Sequence, residues 1–274
     1  MFPVGLSTCS KVIDEALFAS YRESGITEME ISTGEAAYAD LPYGQITLWA
    51  KAHGVHLNSF HLPFSPFRCV DPSSTDESVR TGTVAYLGEL IRKAGAMGID
   101  KFIIHPSAEP MEESDRPARM EQSKRSLVAL QAVARASGGT LCVEDLPRTC
   151  LGRDSDDIAE LLAADDTLRC CFDTNHLLKE DNAAFVRRIS GKIVTLHVSD
   201  YDFVNERHWL PGEGKADFAA LIKALREIGY AGPWLYEIGF AAPKTLARSR
   251  DLTCADFVRN AKELFAGQKP TRIE

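Results

Sequence analysis

The stretch that decides the fold is residues 193–214, which read IVTLHVSDYDFVNERHWLPGEG. It begins as an apolar run that is typical of a buried strand, and this strand delivers His197 to its carboxyl end. The loop that follows is dense in side chains that bind metals or polar ligands, namely Asp200, Asp202, Glu206, Arg207 and His208. An α/β protein places its chemistry in such loops, because the rigid sheet holds the loop while the loop reaches the ligand. The segment therefore predicts a site to which other strands contribute.

The same unit, a strand followed by a helix, repeats along the whole chain. The eight predicted strands read PVGLS, ITEMEIS, VHLNSFHLP, KFIIHP, TLCVE, LRCCFD, IVTLHVS and WLYEIG. Eight predicted helices alternate with them, and the last is expected to run from about residue 245 to residue 265. Alternating units favour a parallel sheet with right-handed crossovers, and eight of them predict a (β/α)₈ TIM barrel. An open doubly wound sheet is disfavoured, because no GxGxxG turn follows the first strand.

Length, charge and cysteine content narrow the class of protein. A chain of 274 residues without a linker or a shift in composition predicts one barrel domain over residues 1–274. The net charge of −8, without a basic run, argues against a nucleic-acid partner. The chain has no apolar run long enough for a membrane span and starts without a signal-peptide pattern, so we expect a cytoplasmic protein. The seven cysteines lack CxxC spacing, and we expect most to be reduced, with those on strands, Cys142, Cys170 and Cys171, as small core residues.

Six consecutive predicted strands, the third to the eighth, end in a residue that can bind a metal. These residues are His61, His105, Glu144, Asp173, His197 and Glu237. One polar residue at a strand end has ordinary explanations, such as capping the next helix, but six in succession favour a shared site. Because the carboxyl ends of barrel strands open onto one face, we expect these side chains to converge. Imidazole and carboxylate together favour a borderline divalent cation such as Zn²⁺, Mn²⁺ or Co²⁺.

Two short spacings extend this candidate site. In DTNH, Asp173 and His176 are three residues apart, so a strand end and the following turn can face one site. In ERH, Glu206 and His208 are two apart, so their side chains share a side of an extended loop. We interpret His208 and Glu206 either as additional metal ligands or as groups that hydrogen-bond to ligands.

Several motifs together carry a family resemblance. They are HP at residues 105–106, VED at 143–145, FDTNH at 172–176, LHVSD at 196–200, RHWLPGEGKADF at 207–218 and YE at 236–237. With these motifs the chain resembles the sugar isomerase/epimerase superfamily of xylose isomerase-like TIM barrels. That superfamily includes ketose 3-epimerases, inosose dehydratase and the type IV apurinic endonucleases. The resemblance covers essentially the whole chain, but it does not specify one substrate.

The resemblance implies a metal-dependent reaction on a small sugar or polyol. One divalent ion (Mn, Zn, Co or Mg) would be held by four residues, Glu144, Asp173, His197 and Glu237. His176 and Arg207 would bind substrate, and His61 and His105 are expected beside it. The implied reaction is proton transfer next to a carbonyl through a metal-bound cis-enediolate, with Glu144 and Glu237 as the acid/base pair.

The sequence leaves three alternatives open. An inosose-type dehydratase could use the same site. A zinc-dependent apurinic/apyrimidinic endonuclease would use more than one zinc, with extra ligands at His61, His105, His176 and His208, although that branch has Asp-x-His where this chain has Glu206-Arg207-His208. A non-catalytic sugar-binding barrel is the third. The backbone amides around Gly212 and Gly214 could bind a phosphate, and a homo-oligomer is neither indicated nor excluded.

Overall fold

The computed structural model describes residues 1–273, in which eight parallel strands alternate with eight α-helices. The strands are β1 (Val4–Ser7), β2 (Glu28–Ile31), β3 (His56–His61), β4 (Lys101–Ile104), β5 (Thr140–Glu144), β6 (Arg169–Asp173), β7 (Ile193–His197) and β8 (Trp234–Tyr236). The helices are α1 (Glu15–Ser24), α2 (Tyr43–His53), α3 (Glu77–Ala96), α4 (Arg116–Ala136), α5 (Ser155–Leu162), α6 (Asn182–Arg188), α7 (Phe218–Glu227) and α8 (Cys254–Phe265).

The strands close into a barrel. Each strand from β1 to β6 pairs with the next in the chain, and β1 also pairs with β8. The seam between β7 and β8 is a parallel bridge between Val198 and Tyr236, where the Val198 amide donates to the Leu235 carbonyl at 2.8 Å. This arrangement confirms the predicted (β/α)₈ TIM barrel.

Helix boundaries follow from local capping. Aspartates cap five of the helices through a side-chain hydrogen bond to the first turn, and they are Asp14, Asp76, Asp154, Asp181 and Asp217. The predicted start of the last helix near residue 245 is wrong, because α8 begins at Cys254. A capping box between Thr253 and Asp256 fixes that start, and the residues before it form a loop.

The outer helices bury their apolar faces against the strands, whereas the barrel interior becomes polar towards its carboxyl end. Two irregularities in strand register shape that interior. Between β2 and β3, Met29 pairs with Leu57 and Glu30 with Ser59, so Asn58 is an extra residue. A second shift lies between β6 and β7. Such a bulge lets consecutive side chains reach the same side of a sheet.

Two further expectations concern the cysteines and membrane-spanning segments within residues 1–273. All seven cysteines are free, and those on the strands, Cys142, Cys170 and Cys171, are buried as predicted. None of the helices in this range combines the length and the apolarity that crossing a bilayer requires.

Candidate active site

Four side chains from neighbouring strands meet at the carboxyl end of the barrel. Glu144, Asp173 and His197 are the last residues of β5, β6 and β7, and Glu237 directly follows β8. One ligand atom from each lies within 4.8 Å of the others. Nδ1 of His197 is 2.8 Å from Glu144 Oε1, 3.7 Å from Glu237 Oε2 and 4.0 Å from Asp173 Oδ2. We call these four residues the carboxylate–histidine cluster.

The donor set of this cluster fits a divalent cation. Three carboxylates converge, and across the described part of the chain they form ion pairs with histidines alone. Oδ2 of Asp173 is buried without a hydrogen-bond partner. Buried carboxylates repel one another and lose hydration, and a cation between them offsets both costs. One imidazole with three carboxylates is a set that suits Mn²⁺, Co²⁺ or Zn²⁺.

The two glutamates of the cluster hold protons with different affinity. Burial raises the pKa of Glu237, and the charge of Glu144 raises it further against the opposing charge of His197. Burial also acts to raise the pKa of Glu144, but His197 and His105 outweigh it, so this pKa lies well below its ordinary value. Neighbouring carboxyls whose pKa values are driven apart can divide acid and base roles between them.

His61 and His105 lie beside the cluster on the Glu144 side. The Nε2 atoms of both rings are 3.2 Å from Glu144 Oε2. Nδ1 of His61 donates to the Leu62 carbonyl at 2.9 Å, so this ring presents its other nitrogen to the carboxylate. The pKa of His61 rises to about 9, because Glu144 outweighs burial, whereas burial lowers the pKa of His105. The ring of His105 stacks on Phe64 with centroids 4.2 Å apart.

The loop after β7 places Glu206 and His208 at the rim of the site. Oε2 of Glu206 is 3.2 Å from His176 Nε2, and its Oε1 accepts from Arg148 at 2.9 Å. Burial opposes ionisation of Glu206, but His176 and Arg148 outweigh it and lower the pKa to about 2. His208 has a left-handed backbone (φ 52°), and its Nδ1 donates to the Glu237 carbonyl at 3.1 Å. The loop therefore contacts the cluster through His176 and Glu237.

Arg207 is held by its neighbours in the same loop. Its Nε donates to Asp202 at 2.8 Å, and its guanidinium lies 5.9 Å above the ring of Trp209. Its amide donates to Asn175 Oδ1 at 2.8 Å, which ties the loop to the DTNH turn. Asp202 thus serves this ion pair rather than the cluster.

Asp200 anchors the second half of the loop. Its Oδ2 accepts from the amides of Gly212 and Gly214 at 2.9 and 2.8 Å, and its Oδ1 accepts from those of Ala216 and Tyr201 at 3.0 and 2.8 Å. The expectation that the Gly212 and Gly214 amides could bind a phosphate is therefore wrong, because a buried carboxylate of the chain already occupies them.

A cavity of about 630 Å³ opens above the cluster. All but two of the predicted site residues line it: His61, His105, Glu144, His176, Glu206, Arg207, His208 and Glu237. The exceptions, Asp173 and His197, are fully buried beside the lining residues. Phe64 and Phe67 form an apolar part of the wall. The volume is in the range of pockets that hold small organic ligands.

Two residues of the site escaped the sequence analysis. Glu30 lies on β2, is fully buried, and places Oε2 2.9 Å from His197 Nε2. A glutamate within the apolar strand segment ITEMEIS was the available indication, because a buried strand seldom carries a charge. Arg148 lines the cavity from the loop after β5 and bonds to Glu109 and Glu206. Nothing in its local sequence indicated that contact.

The sequence model of the family described as xylose isomerase-like TIM barrel matches residues 18–253. The chain belongs to this family. Membership accounts for the barrel and for the alignment of motifs along the chain.

Individual relatives are more distant. An uncharacterized protein of Methanocaldococcus jannaschii is 27% identical over 181 residues, which cover 63% of this chain and 61% of that protein. An L-ribulose 3-epimerase of Mesorhizobium japonicum is 29% identical over 232 residues, covering 81% of this chain and 74% of the relative. Among solved structures, a D-tagatose 3-epimerase-like protein superposes with a TM-score of 0.79 at 20% identity, covering 96% of this chain and 97% of that one. This structural likeness supports the fold.

Proposed function

We propose that this chain is a metal-dependent sugar epimerase or isomerase that acts through the whole chain as one barrel domain. The observation that carries the proposal is the carboxylate–histidine cluster, whose four ligand atoms lie within 4.8 Å of one another beside a cavity of about 630 Å³. The name of the Mesorhizobium relative, L-ribulose 3-epimerase, and that of the similar structure, a D-tagatose 3-epimerase-like protein, point to the same class.

Glu144, Asp173, His197 and Glu237 would hold the cation. When bound there, a divalent cation supplies a Lewis acid that polarises a carbonyl of the substrate. His61 forms a second grouping with Glu144 and His197, in which one ligand atom from each residue also lies within 4.8 Å of the others, and this grouping would offer ligands to zinc. The protein would therefore bind one metal ion at the cluster, and there are ligands for a second metal ion beside it.

Glu144 and Glu237 are the proposed acid and base. Glu144 ends β5 and Glu237 follows β8, and their carboxylate oxygens lie 2.8 and 3.7 Å from His197 Nδ1. One carboxylate removes the proton from the carbon next to the carbonyl, and the other returns a proton to the opposite face, which inverts that centre. His176 contributes an imidazole that lines the cavity and can bind substrate hydroxyls.

The substrate we propose is a small unphosphorylated sugar or polyol. The two arginines that line the cavity are already paired, Arg148 with Glu109 and Glu206, and Arg207 with Asp202. The amides of Gly212 and Gly214 bind Asp200. A phosphate would have to displace one of these carboxylates, at a cost in unpaired buried charge.

The decisive test follows proton exchange. A panel of ketoses and inososes is incubated in D₂O with the Mn²⁺-loaded protein, and deuterium incorporation is followed by NMR. We expect incorporation beside the carbonyl of at least one ketose. Loss of water from an inosose would instead identify the dehydratase, whereas a blank panel together with the absence of bound metal would favour the non-catalytic barrel.

A zinc-dependent apurinic endonuclease is the second candidate, and the additional grouping of His61 with Glu144 and His197 favours it. The net charge of −8 argues against it, since phosphate contacts need clustered cations. Efficient nicking of a plasmid that carries abasic sites, with zinc added, would support the nuclease over the epimerase.

A further inference from the structure

Beneath the cluster, the ring of His197 contacts a carboxylate from another part of the barrel. Glu30 comes from β2, and its Oε2 is 2.9 Å from His197 Nε2, with both side chains 0% exposed. The other ring nitrogen, Nδ1, faces the cluster at 2.8 Å from Glu144 Oε1. The two nitrogens of this ring thus have separate partners, one in the barrel interior and one at the candidate metal centre.

We propose that Glu30 is a positioning residue of the metal centre, which keeps a proton on His197 Nε2 and thereby leaves Nδ1 free to bind the cation. A neutral imidazole carries one N–H. Nδ1 and Glu144 Oε1 both face the candidate metal centre, so with a cation bound there the N–H lies on Nε2, where Glu30 accepts it. A carboxylate in this position also fixes the ring orientation and makes the ligand nitrogen more basic. The inference rests on the proposed function, because it requires a metal at the cluster.

Hydrogen bonds from β3 hold Glu30 in this orientation. Oγ of Ser59 donates to the same Oε2 atom at 2.8 Å. Nδ2 of Asn58 donates to Ser59 Oγ and to Thr195 Oγ1, both at 3.2 Å. Thr195 lies on β7, two residues before His197, so the network connects the carboxylate to the strand that carries its histidine. The bulge at Asn58 makes this possible, because it turns two consecutive polar side chains inward.

Folding alone does not explain Glu30. In the described residues His197 is its only ion-pair partner, and its Oε1 is buried without a hydrogen-bond partner. A buried carboxylate with an unsatisfied oxygen costs folding free energy, whereas an apolar side chain of similar size would not. Glu30 costs folding free energy and yet contacts Nε2 of His197, a candidate metal ligand. This contact points to a role for Glu30 in metal binding.

The test measures metal affinity rather than turnover. Glu30→Gln keeps the shape and removes the charge, and Ser59→Ala removes a hydrogen bond that orients Glu30. Mn²⁺ affinity is measured by competition with a chelator, and the fold of the metal-free variants by circular dichroism and thermal unfolding. We expect Glu30→Gln to bind Mn²⁺ about 10- to 100-fold more weakly while its metal-free form unfolds no earlier than the wild type. Ser59→Ala should show a smaller loss in the same direction.

Glu28→Gln is the matched control. Glu28 lies two residues earlier on β2, and its Oε2 also contacts a histidine, His56 Nδ1, at 2.7 Å. That pair lies at the opposite end of the barrel and His56 is 61% exposed. The same substitution in the same strand should therefore leave Mn²⁺ affinity unchanged.

The outcomes separate this inference from the proposed function. Wild-type affinity in both Glu30→Gln and Ser59→Ala would overturn the role of Glu30 while leaving the metal centre intact. If Glu30→Gln does not fold, the Mn²⁺ affinity of Ser59→Ala is the test. An Mn²⁺ affinity equal to that of the wild type in this variant would then overturn the role of Glu30. A wild-type protein that binds no divalent cation would overturn the proposed metal centre itself.

Discussion

Buried carboxylates occur in two contrasting settings in this protein. Asp256, at the first turn of α8, is 2% exposed, and both of its oxygens are paired with cations. They accept from Arg250 at 2.7 and 2.9 Å and from Arg259 at 2.9 Å, and the Thr253 amide and hydroxyl add two bonds at 2.8 Å. In the carboxylate–histidine cluster, by contrast, the acids meet histidines alone across residues 1–273, and Asp173 keeps an oxygen without a hydrogen-bond partner.

The difference separates a carboxylate that builds the fold from carboxylates that serve a ligand. A guanidinium is always charged and satisfies a carboxylate permanently. Histidine can release its proton and then bind a cation through the same nitrogen. The arginine-paired aspartate has all its partners within the chain, whereas the cluster has the arrangement that fits the cation we propose for it.

The largest expected effect is on turnover. Glu144→Gln and Glu237→Gln should each lower kcat by about 10³-fold, equivalent to about 4 kcal/mol, because each removes an acid/base group. His61→Ala should have a smaller effect. Rates are measured on the ketose that exchanges deuterium, and Asp256→Asn serves as the control that keeps its rate. Near-normal activity in either Gln variant would refute the two-carboxylate mechanism.

Metal binding should have the next largest effect, on stability. At about 100 times its dissociation constant, Mn²⁺ should raise the free energy of unfolding by about 2.7 kcal/mol, because it binds only the folded cluster. Urea denaturation with Mn²⁺ and with EDTA measures the difference. Asp256→Asn should keep this increment, and Glu144→Gln should lose most of it at the same Mn²⁺ concentration. If the wild type gave identical urea denaturation curves with Mn²⁺ and with EDTA, the cluster would not differ from Asp256 in its response to a cation, and the contrast would be wrong.

The smallest expected effect is at the α8 cap. Asp256→Asn should lower the free energy of unfolding by about 1 kcal/mol at pH 7, because it weakens a capping box and two ion pairs. The hydrogen bond from Arg250 holds the pKa of Asp256 below its ordinary value of 3.8. The contribution of ionised Asp256 to the free energy of unfolding is therefore fully present above pH 3.8. It is lost as the pH falls through the lower folded-state pKa. Denaturation at several pH values should therefore show the wild type and the variant converging in acid, and a constant difference would contradict this linkage.

Much of the barrel could be predicted, because each strand–helix unit is encoded locally. Hydrophobic runs predicted the strands, and the histidines and carboxylates at the carboxyl ends of these strands indicated which face of the barrel carries the candidate site. The start of α8 was misjudged, because the capping box at Thr253 determines it more strongly than the polar residues before it. Local periodicity cannot rank such competing starts.

The positions of candidate site residues could be predicted where these residues stand at strand ends. They could not be predicted where they depend on contacts between loops or strands that are distant in the sequence. His61, His105 and Glu144 follow from the barrel rule, because their strands are neighbours. The contact of Glu30 with His197 depends on closure of the barrel and on a bulge at Asn58, which no local pattern specifies. The contact of Arg148 with Glu206 likewise joins two loops whose conformations arise only in the folded chain.

Asp200 holds the end of the β7–α7 loop in place while the rest of the loop borders the cavity. Because one buried carboxylate fastens the amides of Gly212, Gly214 and Ala216, the end of the loop is fixed independently of its tip. Residues 202–208 lie between Asp200 and Gly212, and three of them, Glu206, Arg207 and His208, line the cavity. Under the proposed function, we expect substitutions in this segment to change which sugar is accepted while the end of the loop keeps its place.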